Sequence, residues 1–509
     1  MNFSWYTRTL LAAASGLTLA LSFPNYNLPL LAWISISLLI LASFRARPAV
    51  APLYGLLHGL VFYPVCLPWM DVVVRQYGNV DAWTSAGLLA LVGIAGGAVC
   101  AVFSWGVAVT SRKSGLLACM LAPFLWVTLE FARAHLPIFA FPWNLAGYAA
   151  SGNLPLVQLT AVTGIYGLSF VVVAYGSMVA YAILSGRQRA WKFVLSFTAL
   201  LFFVAVGGRY LVPSETPRFV AHLVQTNFAQ SYDYPPDWMQ VHANDLDELG
   251  QISVDAARRN PGLIVWPESP APFSLQDAVF AARVQQIARD SGSDFLVGAE
   301  DWKRIAAGTR NAPGKWVATN SAVLLNPSGE RIFTYDKIHL VPFGEYVPLR
   351  RWLTFAGKLT ADIGDFTPGS VYGVGKLPDG RFGSFICFEA TFPDAVRRFT
   401  AGGAELLINI SNDGWFGRSS APAQHLMMAR VRAIENRRWL LRDTNNGFTV
   451  SVDPYGRIVA ELPTDIRGQL EAPYDFRSDL TLYVRFGDWF AWLCVLASLV
   501  LLGMVLARS

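Results

Sequence analysis

Apolar positions along this chain fall into two regimes. Over the first 212 residues they form long runs separated by short polar loops, whereas from 213 to about 485 short apolar runs alternate with polar stretches of helical period. A helix needs about 20 mostly apolar residues to cross a bilayer. Runs near 8–23, 27–44, 50–70, 84–110, 115–133, 157–184 and 192–212, with one more at 486–507, supply eight candidate spans. The first is short enough to resemble a signal-peptide core, but a second apolar run follows directly after Pro24 and Asn25, so a retained helical hairpin is expected. Residues 1–212 thus read as a membrane domain of seven helices, 213–485 as a globular domain, and 486–509 as a last membrane helix.

Within the globular part, strands are expected at 218–225, 263–266, 294–297, 322–325, 384–388, 406–410, 440–443 and 449–452. Helices are expected at 238–260 and 275–291. The alternation predicts an α/β domain beside an α-helical membrane bundle.

Composition and charge sharpen the division. Of 40 basic and 35 acidic side chains in 509 residues, the first 212 hold only 11 and 3. The formal charge of +5 therefore comes from the membrane part and is no signature of nucleic-acid binding. Arg8, Arg45, Arg47, Arg112, Lys113, Arg187, Arg189, Lys192 and Arg508 fall in loops on one side, with Arg75 and Arg133 opposite. By the positive-inside rule both termini are cytoplasmic and the globular domain lies on the far side. Glu130 and Arg133, one helical turn apart, are expected to pair near a helix end. His58 reads as a core histidine, and the Gly93–Gly97 stretch as close helix packing. Four of the five cysteines, Cys66, Cys100, Cys119 and Cys494, lie in apolar runs and read as packing, with no disulfide framework.

Three segments carry chemistry. LIVWPESP ends a buried-type strand at Glu268, where Trp and Pro neighbours desolvate a carboxylate toward the range of a general base. YDKIHLVPFGEYVP places Lys337 and Glu345 eight residues apart; a lysine held in such a scaffold can stabilise an oxyanion, with Glu345 to orient it. GSFICFEATFP holds Cys387, the only cysteine of the globular domain. Each taken singly has an ordinary structural reading: a capping glutamate, a solvated lysine, an inert buried thiol. Together they supply a base, a cation and a thiol, the set that makes a working nucleophile.

These motifs, in this chain order, resemble the nitrilase superfamily of carbon-nitrogen hydrolases, and LLINISNDGWFG followed by MMARVRAIENRRWLLRDTNNG extends the resemblance beyond Cys387. With the membrane helices added, the whole architecture resembles the apolipoprotein N-acyltransferase family. The resemblance implies an αββα sandwich with Cys387 as nucleophile, Glu268 as general base and Lys337 as oxyanion stabiliser. It also implies that Glu345 and Glu389 are needed for activity and that Trp238 rides on a mobile arm over the site. Phe388 departs from members that carry Tyr after the nucleophile. The implied reaction is ping-pong transfer of a fatty acyl chain from a phospholipid, through a cysteine thioester, to the α-amino group of a diacylglyceryl-modified N-terminal cysteine on a lipoprotein. The implied setting is the bacterial inner membrane, with the catalytic domain periplasmic. Neither a phosphate loop nor a dinucleotide fingerprint occurs, and His222, His242, His339 and His425 are too scattered for a zinc site, so no cofactor and no metal are expected. Trp352, Leu353, Phe355 and Phe366 mark a loop read as a gate at the bilayer surface. Two rival readings use the same segments: a membrane-tethered amidase or nitrilase, and a transporter or receptor with an inactive module.

Overall fold

The computed structural model describes residues 3–78, 80–136, 140–231, 234–304, 316–346 and 366–507. It divides into two compact units. One comprises Met1–Pro213, Arg418–Val431 and Thr481–Ser509, the other Ser214–Gly417 and Arg432–Leu480.

The first unit is helical. Where the sequence predicts eight spans, five helices among the described residues are long and apolar enough to cross a membrane: Ala82–Lys113, Gly115–His135, Ile165–Ser185, Gln188–Tyr210 and Trp489–Leu506. A sixth arises if the pair Ala51–Cys66 and Trp69–Gln76, bent by 64°, is one span. The two earliest runs form helices of only 16 and 12 residues, Trp5–Ala20 and Ala32–Ser43, because Pro24 and Pro29 fall in the connection between them. Helix ends follow local chemistry. Asp81 accepts from the backbone N–H groups of Trp83 and Thr84 to start one helix, and Ser114 ends that helix and caps the next through Leu117 N.

Close packing in this unit depends on glycine. A Cβ on Gly59 would lie 2.2 Å from Gly97 Cα, and one on Gly55 would lie 2.1 Å from Cys100 O. Glu130 and Arg133 do not pair as expected. Glu130 Oε1 accepts from Trp126 Nε1 (2.9 Å) and Ala146 N (2.7 Å), while Arg133 donates to Tyr63 Oη (2.6 Å) and Trp143 O (3.3 Å). Neighbouring elements donate to Glu130 Oε1 and accept from Arg133, while Glu130 Oε2 is buried without a hydrogen-bond partner among the described residues. His58 is buried, with Nδ1 bonded to Ser15 Oγ at 3.0 Å.

Among the described residues twelve strands build the second unit: β1 (Phe219–Gln225), β2 (Leu263–Val265), β3 (Phe295–Arg304), β4 (Trp316–Leu325), β5 (Arg331–Asp336), β6 (Val374–Leu377), β7 (Gly380–Ile386), β8 (Leu406–Ser411), β9 (Leu440–Thr444), β10 (Thr449–Val452), β11 (Ile458–Leu462) and β12 (Gly468–Tyr474). They form two six-stranded sheets with orders β12-β1-β2-β3-β4-β5 and β11-β10-β9-β8-β7-β6. In each sheet the three strands β1-β2-β3 or β7-β8-β9 run parallel, and the outer strands pair antiparallel. Helices Ala243–Arg259 and Ala278–Ser291 pack on the first sheet's outer face, and Pro393–Ala401 on the second's. This is a helix–sheet–sheet–helix sandwich, the αββα arrangement that the resemblance implies. Asp277 caps its helix through Val279 N and Phe280 N, and Gly292 ends it in the left-handed conformation (φ 64°). A core of Trp266, Phe273, Phe280 and Phe295 joins these helices to the first sheet.

Candidate active site

Four strand ends supply the polar side chains. Glu268 stands three residues beyond β2, where its backbone passes so close to β3 that only glycine fits opposite: a Cβ on Gly298 would lie 2.3 Å from Pro267 O and 2.7 Å from Glu268 Cα. Lys337 directly follows β5 and is fixed by its own backbone, whose N–H donates to Asn320 O and whose carbonyl accepts from Gly369 N, both at 2.8 Å. Cys387 directly follows β7 with φ 47°, a left-handed conformation that turns the chain sharply out of the strand. Asn412 and Asp413 follow β8.

The sequence-predicted residues converge here. Lys337 Nζ donates to Glu268 Oε1 and to Glu345 Oε1, each at 2.9 Å. Asn320 Nδ2 donates to the same two oxygens at 2.7 and 2.8 Å. Glu268 Oε2 accepts from Asn412 N at 2.9 Å, and Glu345 Oε2 from Val341 N at 2.8 Å. Lys337 is 1% exposed, Glu268 6% and Cys387 7%. Burial works against the Lys337 ammonium, but Glu268 and then Glu345 outweigh it and hold its pKa well above the ordinary lysine value. Burial pushes the Cys387 thiol up, and the Glu268 charge adds to this against the opposing pull of Lys337. Both effects favour the protonated thiol over the thiolate.

Glu389 is fully built in. Its Oε1 accepts from Tyr335 Oη (2.7 Å), Ile338 N (2.8 Å) and His339 N (3.1 Å), and its Oε2 from Ile386 N (2.8 Å). Burial raises its pKa, and these four donors oppose the rise. One carboxylate therefore bolts the turn that carries Cys387 to the segment that carries Lys337. Phe388 is buried against Phe392, edge to face at 5.1 Å.

Trp238 stands elsewhere. Its ring is buried in the aromatic core against Phe228, Tyr234, His242 and Phe273. An arm that carries it over the site has to leave that cluster. Of the expected gate, Trp352, Leu353 and Phe355 lie outside the described residues. Phe366 is described, and its N–H donates to Glu345 O at 3.0 Å. Among the described residues no three His, Cys, Asp or Glu side chains gather as metal ligands. Sequence reasoning did not single out Asn320, Asn412 or Tyr335; Asn412 and Tyr335 lie within LLINISNDGWFG and YDKIHLVPFGEYVP, and Asn320, in no motif, is brought in by the pairing of β4 with β3 and β5.

Comparison with known proteins covers both units. A carbon-nitrogen hydrolase domain model matches residues 229–478, so the sandwich is a nitrilase-superfamily domain, and a model of the apolipoprotein N-acyltransferase N-terminal domain matches residues 15–178. A Geobacter metallireducens protein named apolipoprotein N-acyltransferase is 37% identical, covering 98% of this chain and 95% of its own length. Proteins of the same name from Methylococcus capsulatus and Pseudomonas aeruginosa are 32% and 31% identical, over 94% and 98% of this chain and 92% and 96% of theirs. A solved amidase from Nesterenkonia sp. aligns with 55% of this chain and 97% of its own, at 20% identity and a TM-score of 0.38. With similarity of this extent through the apolar and the α/β parts alike, the chain belongs to the apolipoprotein N-acyltransferase family.

Proposed function

We propose that this protein transfers a fatty acyl chain from a phospholipid to the α-amino group of a lipoprotein's N-terminal diacylglyceryl-cysteine, in two steps through a thioester on Cys387. The observation that carries the reading is the buried Lys337 ammonium, held 2.9 Å from two carboxylates and electrostatically coupled to the Cys387 thiol. Glu268 takes the thiol proton as sulfur bonds to the ester carbonyl carbon, and the carbonyl electrons move to oxygen, where Lys337 meets the new charge. Collapse breaks the carbon–oxygen bond, and Glu268 returns its proton to the departing lysophospholipid alkoxide. The acceptor amine then attacks the thioester and gives its proton to Glu268, and expulsion of sulfur leaves the amide and restores the thiol.

Glu345 orients Lys337, and Glu389 keeps nucleophile and cation in register. Trp238 acts through the aromatic core around it. The chemistry as written uses no cofactor. Both substrates are lipids, and the positive loops of the helical unit favour an inner-membrane protein with its second unit in the periplasm.

The reading is tested by intact-mass spectrometry of the purified protein after incubation with phospholipid alone. The expected result is a mass increase of one fatty acyl group on the wild type, absent from Cys387→Ala and discharged by a diacylated lipopeptide. No adduct, together with Cys387-dependent hydrolysis of a small amide, would replace the reading with a membrane-tethered hydrolase.

A further inference from the structure

The thiol has a second set of neighbours that the mechanism above leaves unused. Strands β7 and β8 are parallel, with Ile386 opposite Ile410, so the next residues on each, Cys387 and Ser411, emerge side by side. Their side chains are hydrogen-bonded. Ser411 Oγ also donates to Asp413 Oδ1 at 2.9 Å, and Asp413 Oδ2 accepts from Arg442 Nη2 at 2.7 Å. Arg442 donates as well to Asn409 Oδ1. Ser411, Asp413, Arg442 and Asn409 are all 0–1% exposed.

A Ser hydroxyl has one proton to give. While sulfur is a thiol, the Asp413 carboxylate is the better acceptor of the Ser411 proton. Once Glu268 has taken the thiol proton, sulfur is an anion and competes for the hydroxyl. Rotation about one bond re-aims it, and Asp413 keeps Arg442 as partner. The need is plain from the charges: burial, Glu268 and Asp413 all disfavour the thiolate, and the opposing Lys337 is already engaged by two carboxylates.

We propose that Ser411 supplies the hydrogen bond that steadies the Cys387 thiolate, with Asp413 and Arg442 holding its proton while the sulfur is protonated. The inference rests on Cys387 being the nucleophile proposed above, and makes Ser411 a positioning residue for it.

The test is the pH dependence of Cys387 alkylation by iodoacetamide in the full-length protein, followed by peptide mass mapping and without any lipid present. A hydrogen bond to a charged group is worth about one pKa unit or more. Ser411→Ala is therefore expected to raise the alkylation midpoint by about one unit and slow the reaction about tenfold below it, with Ser411→Thr restoring the wild-type profile. An unchanged midpoint in Ser411→Ala, or a Thr variant as slow as Ala, overturns the proposal. Should Ser411→Ala not fold, Ser411→Val, which keeps the shape of Thr without its hydroxyl, decides: a midpoint above that of Ser411→Thr is expected, and equal midpoints overturn the idea. Acyl uptake from phospholipid is measured in parallel. If the wild type takes up none while the Ser411 effect persists, the acyl-transfer reading fails and the thiolate contact stands.

Discussion

A lysine followed through the chain as a bare residue, Lys337, reads as a solvated side chain, yet its ammonium lies 1% exposed between Glu268 and Glu345. Removing one partner from a buried ionic cluster leaves the others unpaired, at a cost of about 3–5 kcal/mol. Lys337→Met is expected to lower thermal stability by that order and to abolish thioester formation. The pH dependence has a definite sign. The folded pKa of Lys337 lies above its unfolded value of about 10.4, so its contribution is complete below that pH and is lost only as pH rises through the folded value. The stability gap between wild type and Lys337→Met, measured by thermal unfolding in detergent, should therefore stay flat across neutral pH and narrow only above about pH 10. At this scale the sequence singled out Glu268, Lys337 and Cys387, because each sits in a recognisable motif. Tyr335, Asn412 and Asp413 lie within the same or neighbouring motifs and Asn320 in none, and their part shows only through contacts with residues far along the chain.

Among elements, the approach of β3 to the segment after β2 sets where Glu268 stands. Gly298→Ala would put a Cβ within 2.3 Å of Pro267 O, which is backbone and cannot yield cheaply. The variant is expected to lose about 1–3 kcal/mol by overpacking and to slow acylation of Cys387 well beyond that of a control such as Gly250→Ala, where the nearest atoms are 3.5 Å away. Rapid-quench mass spectrometry of the acyl-enzyme reads this directly; equal rates in the two variants would refute the positional role. The strands that were legible and those that were not divide by place in the sheet. All eight expected strands form, since their apolar runs are buried in the sandwich. The four missed, β5, β6, β11 and β12, are the four sheet edges. β11 is exposed or half-exposed along its length, and β5 nearly so; Arg331, Thr334 and Asp336 in β5 and Gln469 and Glu471 in β12 dilute the apolar signal, whereas β11 is mostly apolar but only five residues long. The same reasoning explains the helices: apolar length was legible, while breaks such as the left-handed Gly164 (φ 64°) before Ile165–Ser185 depend on packing against Tyr483.

For the whole molecule, the orientation drawn from charge is open to direct measurement. A cysteine placed at Asp379, in the turn between β6 and β7, is expected to react with a membrane-impermeant maleimide on intact spheroplasts, and one at Arg189 only after lysis. The opposite pattern would invert the topology. The paired ends of the sandwich carry a different implication. β1 and β12 are neighbours, with Phe219 opposite Tyr474, so the first entry into the α/β unit and the last exit from it lie at one place, although Arg418–Val431 between them belongs to the helical unit. With Arg418–Val431 counted in the helical unit, the sandwich cannot be cut out at its two ends alone, but a new strand connectivity that joins β12 to β1 and opens the chain in an exposed turn should fold to the same sandwich.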